Sequence, residues 1–476
     1  MKKILYIAGE ALPFASSGGL GDVIGSLPAA LKAESDDDIR VILPLYSAVP
    51  EKFREKFEFI GSKDISLSWR KQYCGIFRYV YQGVTFYFLD NEFYFKRASL
   101  YGEFDDGERF AFFCRAALEI LPDIDFFPDI LHAHDWHAAL SVIYLKRCYA
   151  EYDARYENTK AIFTIHNIQY QGIYDFAILG DVFGLMPSDR EIVEYNGCIN
   201  LLKGAIVCAD RVTTVSPTYA KEILSPKFSH GLDNVLNMFS FKLSGILNGI
   251  DRDYYNPAKD KEIFANFSWK NPEGKAICKS GLQKMLGLPE REDVPMIAVI
   301  SRLVSHKGFD LLMLAGDDIL REDVQLVVLG MGDKSYEEYF TKLADRYPDK
   351  CKTLITYNRD LSKRIYSAAD IFLMPSKSEP CGLAQMICSR YGTVPIIHET
   401  GGLYDSIKDI GCENGGNGFT FAAYSAYEML NSVRRACAFF KSDREGFKEL
   451  SKKVMRVDFS WKQSALSYIE LYNQLY

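Results

Sequence analysis

Short runs of apolar residues alternate along the chain with longer stretches whose apolar positions recur every three or four residues. Residues 3–8 form one apolar run, and residues 23–31 follow it with apolar positions at helical spacing. Further apolar runs at residues 129–133 and 161–165 each lead into a polar segment. A strand, a polar loop and a helix in succession are typical of a parallel α/β sheet.

The same alternation starts again in the second half of the chain. The apolar runs there are residues 295–300, 324–329, 371–374 and 394–397. A turn-rich segment at residues 247–251 separates the two series, which predicts two successive α/β domains. Since ligands bind beyond the carboxyl ends of parallel strands, we expect the polar loops to line a cleft between two facing sheets.

Composition narrows the class of protein. The length of 476 residues suits two or three domains, and 48% hydrophobic with 25% charged residues is the balance of a soluble globular protein. A net charge of −7 argues against a nucleic-acid partner, because phosphate neutralisation needs a basic face. Eleven cysteines without a CxxC pair predict free thiols, hence a cytoplasmic location. No apolar stretch approaches the ~18 residues of a membrane span.

A glycine-rich loop follows the first predicted strand. Gly18, Gly19 and Gly21 would let the backbone approach a phosphate at a helix N-terminus. The dinucleotide-binding fingerprint is not met, because its third glycine would fall at Ile24. A plain tight turn is the alternative interpretation.

Residues 132–137 read HAHDWH and contain three of the seven histidines. His132 and His134 would share one face of a strand, so a metal site is one interpretation. No further cluster of ligands accompanies them, and we therefore predict no metal. A strand-end carboxylate at Asp135, held by its neighbours, is the favoured interpretation.

Two loops of the second series carry charge. Arg302 and Lys307 lie five residues apart after a strand. They could bind phosphate, the arginine through its two-pronged guanidinium group and the lysine as a point charge. The alternative interpretation is an ordinary exposed charged loop. Glu379 opens a second loop whose Gly382 suits a helix entry with free amides. We do not interpret Cys381 as a nucleophile, because no base is nearby in sequence.

Taken together, the motifs resemble those of bacterial glycogen synthases and plant starch synthases, in the family's order and over essentially the whole chain. The matching segments are GGLGDV (18–23), PDILHAHDWH (128–137), TIHNIQYQG (164–172), TVSPTY (214–219), LNGID (247–251), SRLVSHKG (301–308), EPCGLAQ (379–385), TGGL (400–403), GFTF (418–421) and DFSW (458–461). The combination of EPCGL with HAHDWH is highly specific.

The resemblance implies a GT-B glycosyltransferase, an α/β protein with two Rossmann-like domains facing a deep cleft. It implies an acceptor-side domain at residues 1–246, a donor-side domain at 247–457, and a C-terminal helix at 458–476 that returns to the first domain. The implied reaction transfers glucose from ADP-glucose to the non-reducing end of an α-1,4-glucan such as glycogen. Configuration is retained, and neither a metal nor another cofactor takes part.

The resemblance also implies roles for individual residues. The catalytic positions are Glu379, His166, Arg302, Lys307 and Asp135. The donor-binding positions are Ser16, Gly18, Gly19, Asp22, Asn167, Asn248, Tyr357, Cys381, Gly382, Leu383 and Ala384. Tyr101 matches a tyrosine near the sugar, and Tyr357 matches an aromatic residue beside the nucleotide base.

One departure from the family pattern concerns the first motif. The family reads Lys-x-Gly-Gly-Leu, and Ser16 stands in place of that lysine. The lysine is expected to face the donor diphosphate, and loss of one charge-assisted contact costs about 1.5–3 kcal/mol. Two alternatives therefore stay open: a related transferase that uses UDP-glucose or another donor, and a weakly active glucan-binding or regulatory paralogue.

Overall fold

A computed structural model describes residues 1–413 and 415–476. By contact density the chain divides into two units. Unit 1 comprises Met1–Asn248 together with Trp461–Tyr476, and unit 2 comprises Gly249–Ser460. Within the described part of the chain, no helix is both long enough and apolar enough to cross a bilayer.

Unit 1 is built on a nine-stranded sheet and a small three-stranded sheet. Its strands are β1 (Lys3–Ile7), β2 (Asp38–Pro44), β3 (Glu58–Leu67), β4 (Arg70–Tyr81), β5 (Val84–Asp90), β6 (Ile130–His134), β7 (Lys160–Ile165), β8 (Ile173–Tyr174), β9 (Glu194–Tyr195), β10 (Cys198–Asn200), β11 (Arg211–Thr214) and β12 (Leu243–Gly245). The large sheet has the order β12-β11-β7-β6-β1-β2-β5-β4-β3, and the small one β8-β10-β9.

Helices pack on this sheet. They are α1 (Gly19–Glu34), α2 (Glu51–Arg54), α3 (Glu92–Phe95), α4 (Asp106–Glu119), α5 (Trp136–Tyr144), α6 (Ile178–Asp181), α7 (Arg190–Val193), α8 (Leu201–Cys208), α9 (Pro217–Glu222) and α10 (Asp233–Met238). A π-helical turn, Leu145–Tyr149, extends α5. Short 3₁₀ turns lie at Pro187–Asp189 and Ser240–Lys242.

One edge of the large sheet differs from the parallel arrangement that the sequence predicts. Strands β3, β4 and β5 pair antiparallel, whereas β5 joins the parallel part through β2. Gln82 and Gly83 connect β4 to β5 with φ of 48° and 78°. A two-residue turn with both φ values positive matches the twist of antiparallel strands, so this turn dictates a hairpin.

Unit 2 contains a six-stranded parallel sheet in the order β15-β14-β13-β16-β17-β18. Its strands are β13 (Met296–Ile300), β14 (Gln325–Leu329), β15 (Cys351–Leu354), β16 (Ile371–Met374), β17 (Val394–His398) and β18 (Phe419–Phe421). Its helices are α11 (Gly274–Leu286), α12 (Phe309–Arg321), α13 (Lys334–Arg346), α14 (Arg359–Ala368), α15 (Ala384–Arg390), α16 (Gly401–Ser406), α17 (Ala426–Ser442) and α18 (Arg444–Arg456), with a 3₁₀ turn at Ser305–Lys307.

The last helix, α19 (Trp461–Asn473), belongs to unit 1 and packs on α1. Its buried face carries Trp461, Ala465, Tyr468 and Tyr472, which recur at helical spacing. These side chains join the apolar core formed by β1, β2 and α1. The helix therefore completes the core of unit 1, and its Tyr472 hydroxyl lies 2.5 Å from that of Tyr6 on β1.

Candidate active site

Neighbouring strands β6 and β7 of unit 1 present polar groups at their carboxyl ends. Asp135 directly follows β6, and His166 and Asn167 follow β7. The Asp135 carboxylate accepts a hydrogen bond of 2.7 Å from the His166 amide, and the Asp135 amide donates to the Thr164 carbonyl at 3.0 Å. Asp135 has φ of 58°, a strained value for a residue with a Cβ. Such strain at a strand end is a feature of functional sites.

Burial controls the charge of these groups. Asp135 is buried, which raises the pKa of its carboxyl group to about 7, although the amides of His166 and Asn167 and the charge of Glu10 also act on it. Desolvation of the imidazole lowers the pKa of His166 to about 3. The histidine is therefore neutral at pH 7, and the Asp135 carboxyl group carries less charge there than an exposed carboxylate would, so these groups can hydrogen-bond a ligand with reduced charge.

Three further predicted residues lie in unit 1. The Tyr101 ring stacks on His137, with centroids 4.1 Å apart and planes inclined by 20°. Asn167 uses its Oδ1 to accept a hydrogen bond of 3.0 Å from the Gln169 amide. The Oδ1 of Asn248 is buried without a hydrogen-bond partner among the described residues. An unsatisfied buried amide oxygen suits a site that a polar ligand completes.

The side chain of Glu10 holds the glycine-rich loop that follows β1. This buried carboxylate accepts hydrogen bonds from the Ser17 amide (2.5 Å), the Ser17 hydroxyl (2.8 Å) and the Gly18 amide (3.3 Å). Ser16 turns its hydroxyl to the Gly18 carbonyl at 3.1 Å. A Cβ at either Gly18 or Gly19 would meet nothing within 4 Å, so packing within the protein does not require glycine there. Open backbone of this kind suits the close approach of a ligand.

The predicted residue Asp22 lies in the first turn of α1. Its side chain is half-buried. A carboxylate in this position interacts favourably with the positive end of the helix dipole.

In unit 2 the loops after β13 and β16 approach each other closely. Gly308 has φ of 80°, and a Cβ there would overlap the Pro375 carbonyl oxygen. This approach brings Lys307 Nζ within 2.6 Å of the Glu379 carboxylate, and both side chains are largely buried. The Ser376 hydroxyl donates to the same Glu379 oxygen at 2.9 Å. The structure thus joins two of the predicted catalytic residues in one ion pair.

Arg302 and Tyr357 follow β13 and β15, at the same end of the sheet as Glu379. The Arg302 side chain is exposed. Tyr357 is also exposed, and its hydroxyl accepts a hydrogen bond of 3.0 Å from Arg359 Nε. Both side chains are therefore accessible to a ligand that binds at the carboxyl ends of the unit 2 strands.

The turn that follows Glu379 is fixed by a glutamine. Gln385 donates from Nε2 to the carbonyls of Cys381 (3.1 Å) and Gly382 (2.9 Å). Gly382 has φ of 73°, and the turn leads through Leu383 into α15, which begins at Ala384. The amides of Gly382, Leu383 and Ala384 thus lie at the start of a helix.

Several residues that organise the site were not predicted from the sequence. Glu10, Ser376 and Gln385 each hold a loop that carries predicted residues. His134 lies behind His166, with 3.0 Å between Nδ1 of the first and Nε2 of the second. The position of Glu10 at the end of an apolar run is the one signal that could have marked it, because a carboxylate there must find partners when buried.

No group of three or more His, Cys, Asp or Glu side chains could hold a metal ion in residues 1–413 and 415–476. In the HAHDWH segment, both ring nitrogens of His132 are engaged, with Thr164 Oγ1 at 2.6 Å and the Tyr472 hydroxyl at 2.9 Å. Residues 123–125 read DID, a DxD spacing that could hold a divalent metal, and there Asp123 pairs with Lys63 at 2.9 Å.

Comparisons with known proteins place this arrangement in a family. The family model described as "Starch synthase catalytic domain" matches residues 3–238, and the model described as "Glycosyl transferases group 1" matches residues 285–447. A glycogen synthase of Anoxybacillus flavithermus is 45% identical over 99% of this chain and 98% of its own length. A glycogen synthase of Streptococcus agalactiae is 45% identical over 99% of this chain and 100% of its own.

A solved structure agrees with these sequence relatives. The catalytic domain of starch synthase IV from Arabidopsis thaliana, bound to ADP and acarbose, is 35% identical with a TM-score of 0.92. The match covers 100% of this chain and 99% of that one. Two α/β units, whose large sheets are parallel apart from the hairpin edge of unit 1, and these relatives define a GT-B glycosyltransferase fold. The chain therefore belongs to the family of bacterial glycogen synthases and plant starch synthases.

Proposed function

We propose that the protein is a glycogen synthase that transfers glucose from ADP-glucose to the non-reducing end of an α-1,4-glucan with retention of configuration. The observation that carries the proposal is the buried ion pair between Lys307 and Glu379 on the strand-end loops of unit 2. Full-length identity of 45% to named glycogen synthases and a 0.92 TM-score to a starch synthase bound to ADP and acarbose support the same substrates.

Arg302 and Lys307 have the task of stabilising the departing diphosphate. Negative charge grows on the leaving group as the bond between glucose and phosphate breaks, and fixed cations oppose that growth. The amides of Gly382, Leu383 and Ala384 add neutral donors at the start of α15. In the free protein, the Lys307 ammonium group donates a hydrogen bond of 2.6 Å to the Glu379 carboxylate.

Glu379 acts on the opposite charge. Positive charge develops on the glucosyl carbon and ring oxygen in the transition state, and a nearby carboxylate stabilises it. Lys307 and the Ser376 hydroxyl hold this carboxylate in one orientation before substrate binds. A carboxylate that is already oriented needs less reorganisation during the reaction.

The unit 1 groups bind the sugar through hydrogen bonds rather than charge. His166 meets the sugar and positions the departing oxygen. We assign Asp135, Asn167 and Asn248 of unit 1 to binding of the glucosyl group, with Tyr101 near it, and we assign Cys381 of unit 2 to the same sugar. Gly18, Gly19 and Asp22 approach the donor, and Tyr357 stacks on the nucleotide base.

The test is incorporation of labelled glucose into glycogen by the purified protein from ADP-glucose and, separately, from UDP-glucose. Each donor is assayed with and without a chelator, because the proposed mechanism uses no metal. Robust transfer from ADP-glucose in chelator supports the proposal. Absence of transfer with both donors would reject it. Transfer that is lost in chelator and returns only with Mg²⁺ or Mn²⁺ would reject the metal-independent mechanism.

A second candidate function is transfer from UDP-glucose or another donor. The observation that favours it is Ser16, whose hydroxyl bonds the Gly18 carbonyl where the family places a lysine. The changed diphosphate contact alters donor binding without touching Glu379 or His166. A kcat/KM for UDP-glucose above that for ADP-glucose would favour this candidate.

A further inference from the structure

A buried histidine supports the side chain of His166 from behind. His134 is the last residue of β6, and Thr164, its register partner on β7, lies two positions before His166. This pairing brings the two imidazoles together, with His134 Nδ1 3.0 Å from His166 Nε2. His134 is buried and His166 is half-buried. His166 Nδ1 makes no hydrogen bond with any described residue and is left for a ligand.

The contact joins two uncharged rings. Burial, together with the nearby histidines His132 and His166, lowers the pKa of His134 well below its usual value. Desolvation lowers that of His166 to about 3. Each neutral imidazole carries one N–H and one lone pair. The hydrogen bond therefore needs one ring to donate and the other to accept, which couples the two tautomers.

Nε2, the second ring nitrogen of His134, determines which of the two rings donates the hydrogen bond between them. His134 Nε2 is buried without a hydrogen-bond partner among the described residues. If the proton were on Nε2, the protein would contain an orphaned buried N–H, which native structures largely avoid. With the proton on Nδ1, only a lone pair is left unpaired. The lower-cost arrangement has His134 Nδ1–H donating to His166 Nε2, which places the proton of His166 on Nδ1.

Packing against neighbouring rings, rather than a hydrogen bond at Nε2, holds the ring of His134 in place. It packs against both Tyr6, with ring centroids 5.1 Å apart, and His132, with centroids 4.2 Å apart. His132 is fixed in turn by Thr164 Oγ1 at 2.6 Å and by the Tyr472 hydroxyl at 2.9 Å. Tyr472 belongs to α19, so the C-terminal helix contributes to the support behind His166.

We propose that His134 is a positioning residue that holds His166 in the Nδ1–H tautomer, so that His166 presents a hydrogen-bond donor to an oxygen of the bound glucosyl group. The opposite tautomer would present a lone pair to the same oxygen. The part of this inference that concerns substrate rests on the proposed function, whereas the tautomer is a property of the free protein.

The first test measures the tautomer without any substrate. Long-range ¹H–¹⁵N spectra of protein labelled on its seven histidines report which nitrogen of each ring carries the proton, and a His166→Gln variant assigns the His166 signals. We expect His166 to be protonated on Nδ1 in the wild type. In His134→Phe, which keeps a ring for packing, we expect a mixture of tautomers. Protonation on Nε2 in the wild type, or an unchanged tautomer in His134→Phe, would overturn the proposal.

The second test measures turnover. His134→Phe should lower kcat/KM for the donor by about tenfold through loss of one hydrogen bond and its orientation. His134→Asn, whose amide can donate from nearly the same place, should stay within about threefold of wild type. Equal losses in the two variants, or full activity in His134→Phe, would reject the positioning role. A wild-type protein inactive with every nucleotide-glucose would reject the proposed function, and the spectra would still decide the tautomer.

Discussion

The two units carry different kinds of side chain at the carboxyl ends of their strands. In unit 1, Asp135 and His166 are desolvated groups whose charged forms are disfavoured, and hydrogen bonds between adjacent loops fix them. In unit 2, the corresponding loops carry the Lys307–Glu379 ion pair and the exposed Arg302. Under the proposed function, the difference matches two needs of a nucleotide-sugar: a neutral pyranose needs directed hydrogen bonds, whereas the charges that develop on the diphosphate and the glucosyl carbon need fixed charges of opposite sign.

Under the proposed function, one repeated architecture serves two tasks. Both units present loops beyond the carboxyl ends of parallel strands, so the backbone provides the same platform in each. Which task a platform performs depends on a few side chains and on how far burial suppresses their charge.

The largest effects should come from the charged platform. Arg302→Ala and Glu379→Ala are each expected to lower kcat/KM by about 10²–10³-fold, because each removes a charge that opposes charge development in the transition state. The matched control is Arg321→Ala, since Arg321 is an exposed arginine of the same unit paired with Asp318. Near-normal kcat/KM in either variant, with the control unaffected, would remove its catalytic role.

Asp135→Asn tests the uncharged platform. The exchange keeps an oxygen that can accept from the His166 amide but removes the ionisable group. We expect a smaller loss, about ten- to a hundredfold in kcat/KM, because an amide nitrogen in place of one carboxyl oxygen mismatches a buried hydrogen bond to the sugar. Asn167→Asp is the converse variant, which adds a carboxyl group to the same pocket. Activity of Asp135→Asn at wild-type level would show that the carboxylate is dispensable.

The same variant should change the pH dependence of stability. The pKa of Asp135 is raised from 3.8 to about 7, so the native state holds a proton that the unfolded state releases between these values. Wild-type stability contributed by this group is therefore lost as pH rises from about 4 to about 7. Relative to wild type, Asp135→Asn should gain up to about 4 kcal/mol of unfolding free energy above pH 7. A difference that is constant with pH in denaturant titrations would contradict the burial argument.

Ser16→Lys should sharpen the contrast by adding charge to unit 1. If the glycine-rich loop follows the family path, the new ammonium should raise kcat/KM for ADP-glucose by about tenfold. Ser16→Gln provides a long uncharged side chain as the control. No gain with either donor would indicate that another group already compensates, and a gain with UDP-glucose alone would favour the second candidate function.

The smallest effect concerns the nucleotide base. Tyr357→Ala should raise KM for the donor by about fivefold and leave kcat unchanged, because stacking on a side chain that is 72% exposed is weak. Tyr427 is 70% exposed in the same unit, and Tyr427→Ala serves as the control. A fall in kcat instead of a rise in KM would place Tyr357 closer to the reaction than we propose.

Local patterns were sufficient to predict much of the fold. The apolar run predicted at residues 371–374 is β16, and the runs at 295–300 and 394–397 differ from β13 and β17 by one residue each. The hairpin edge at β3–β5 was missed because its strands lack the strand-loop-helix alternation on which the prediction relied. Turn geometry at Gln82 and Gly83 determines that edge instead.

Less of the candidate site could be predicted from the sequence, because its supporting contacts form only when the chain folds. Motifs mark residues next to one another in the chain, whereas Glu10, Ser376 and His134 act on groups brought near by folding. The raised pKa of Asp135 depends likewise on burial, which no local pattern of residues gives.

Binding of ADP, which lacks the sugar, tests the division of tasks most directly. Calorimetric titration of ADP into wild type, Arg302→Ala and His166→Ala separates diphosphate binding from sugar binding. The account predicts that Arg302→Ala weakens ADP by at least about tenfold, that His166→Ala stays within about twofold of wild type, and that both variants lose turnover. Equal weakening of ADP in the two variants, or undiminished ADP binding by Arg302→Ala, would contradict it.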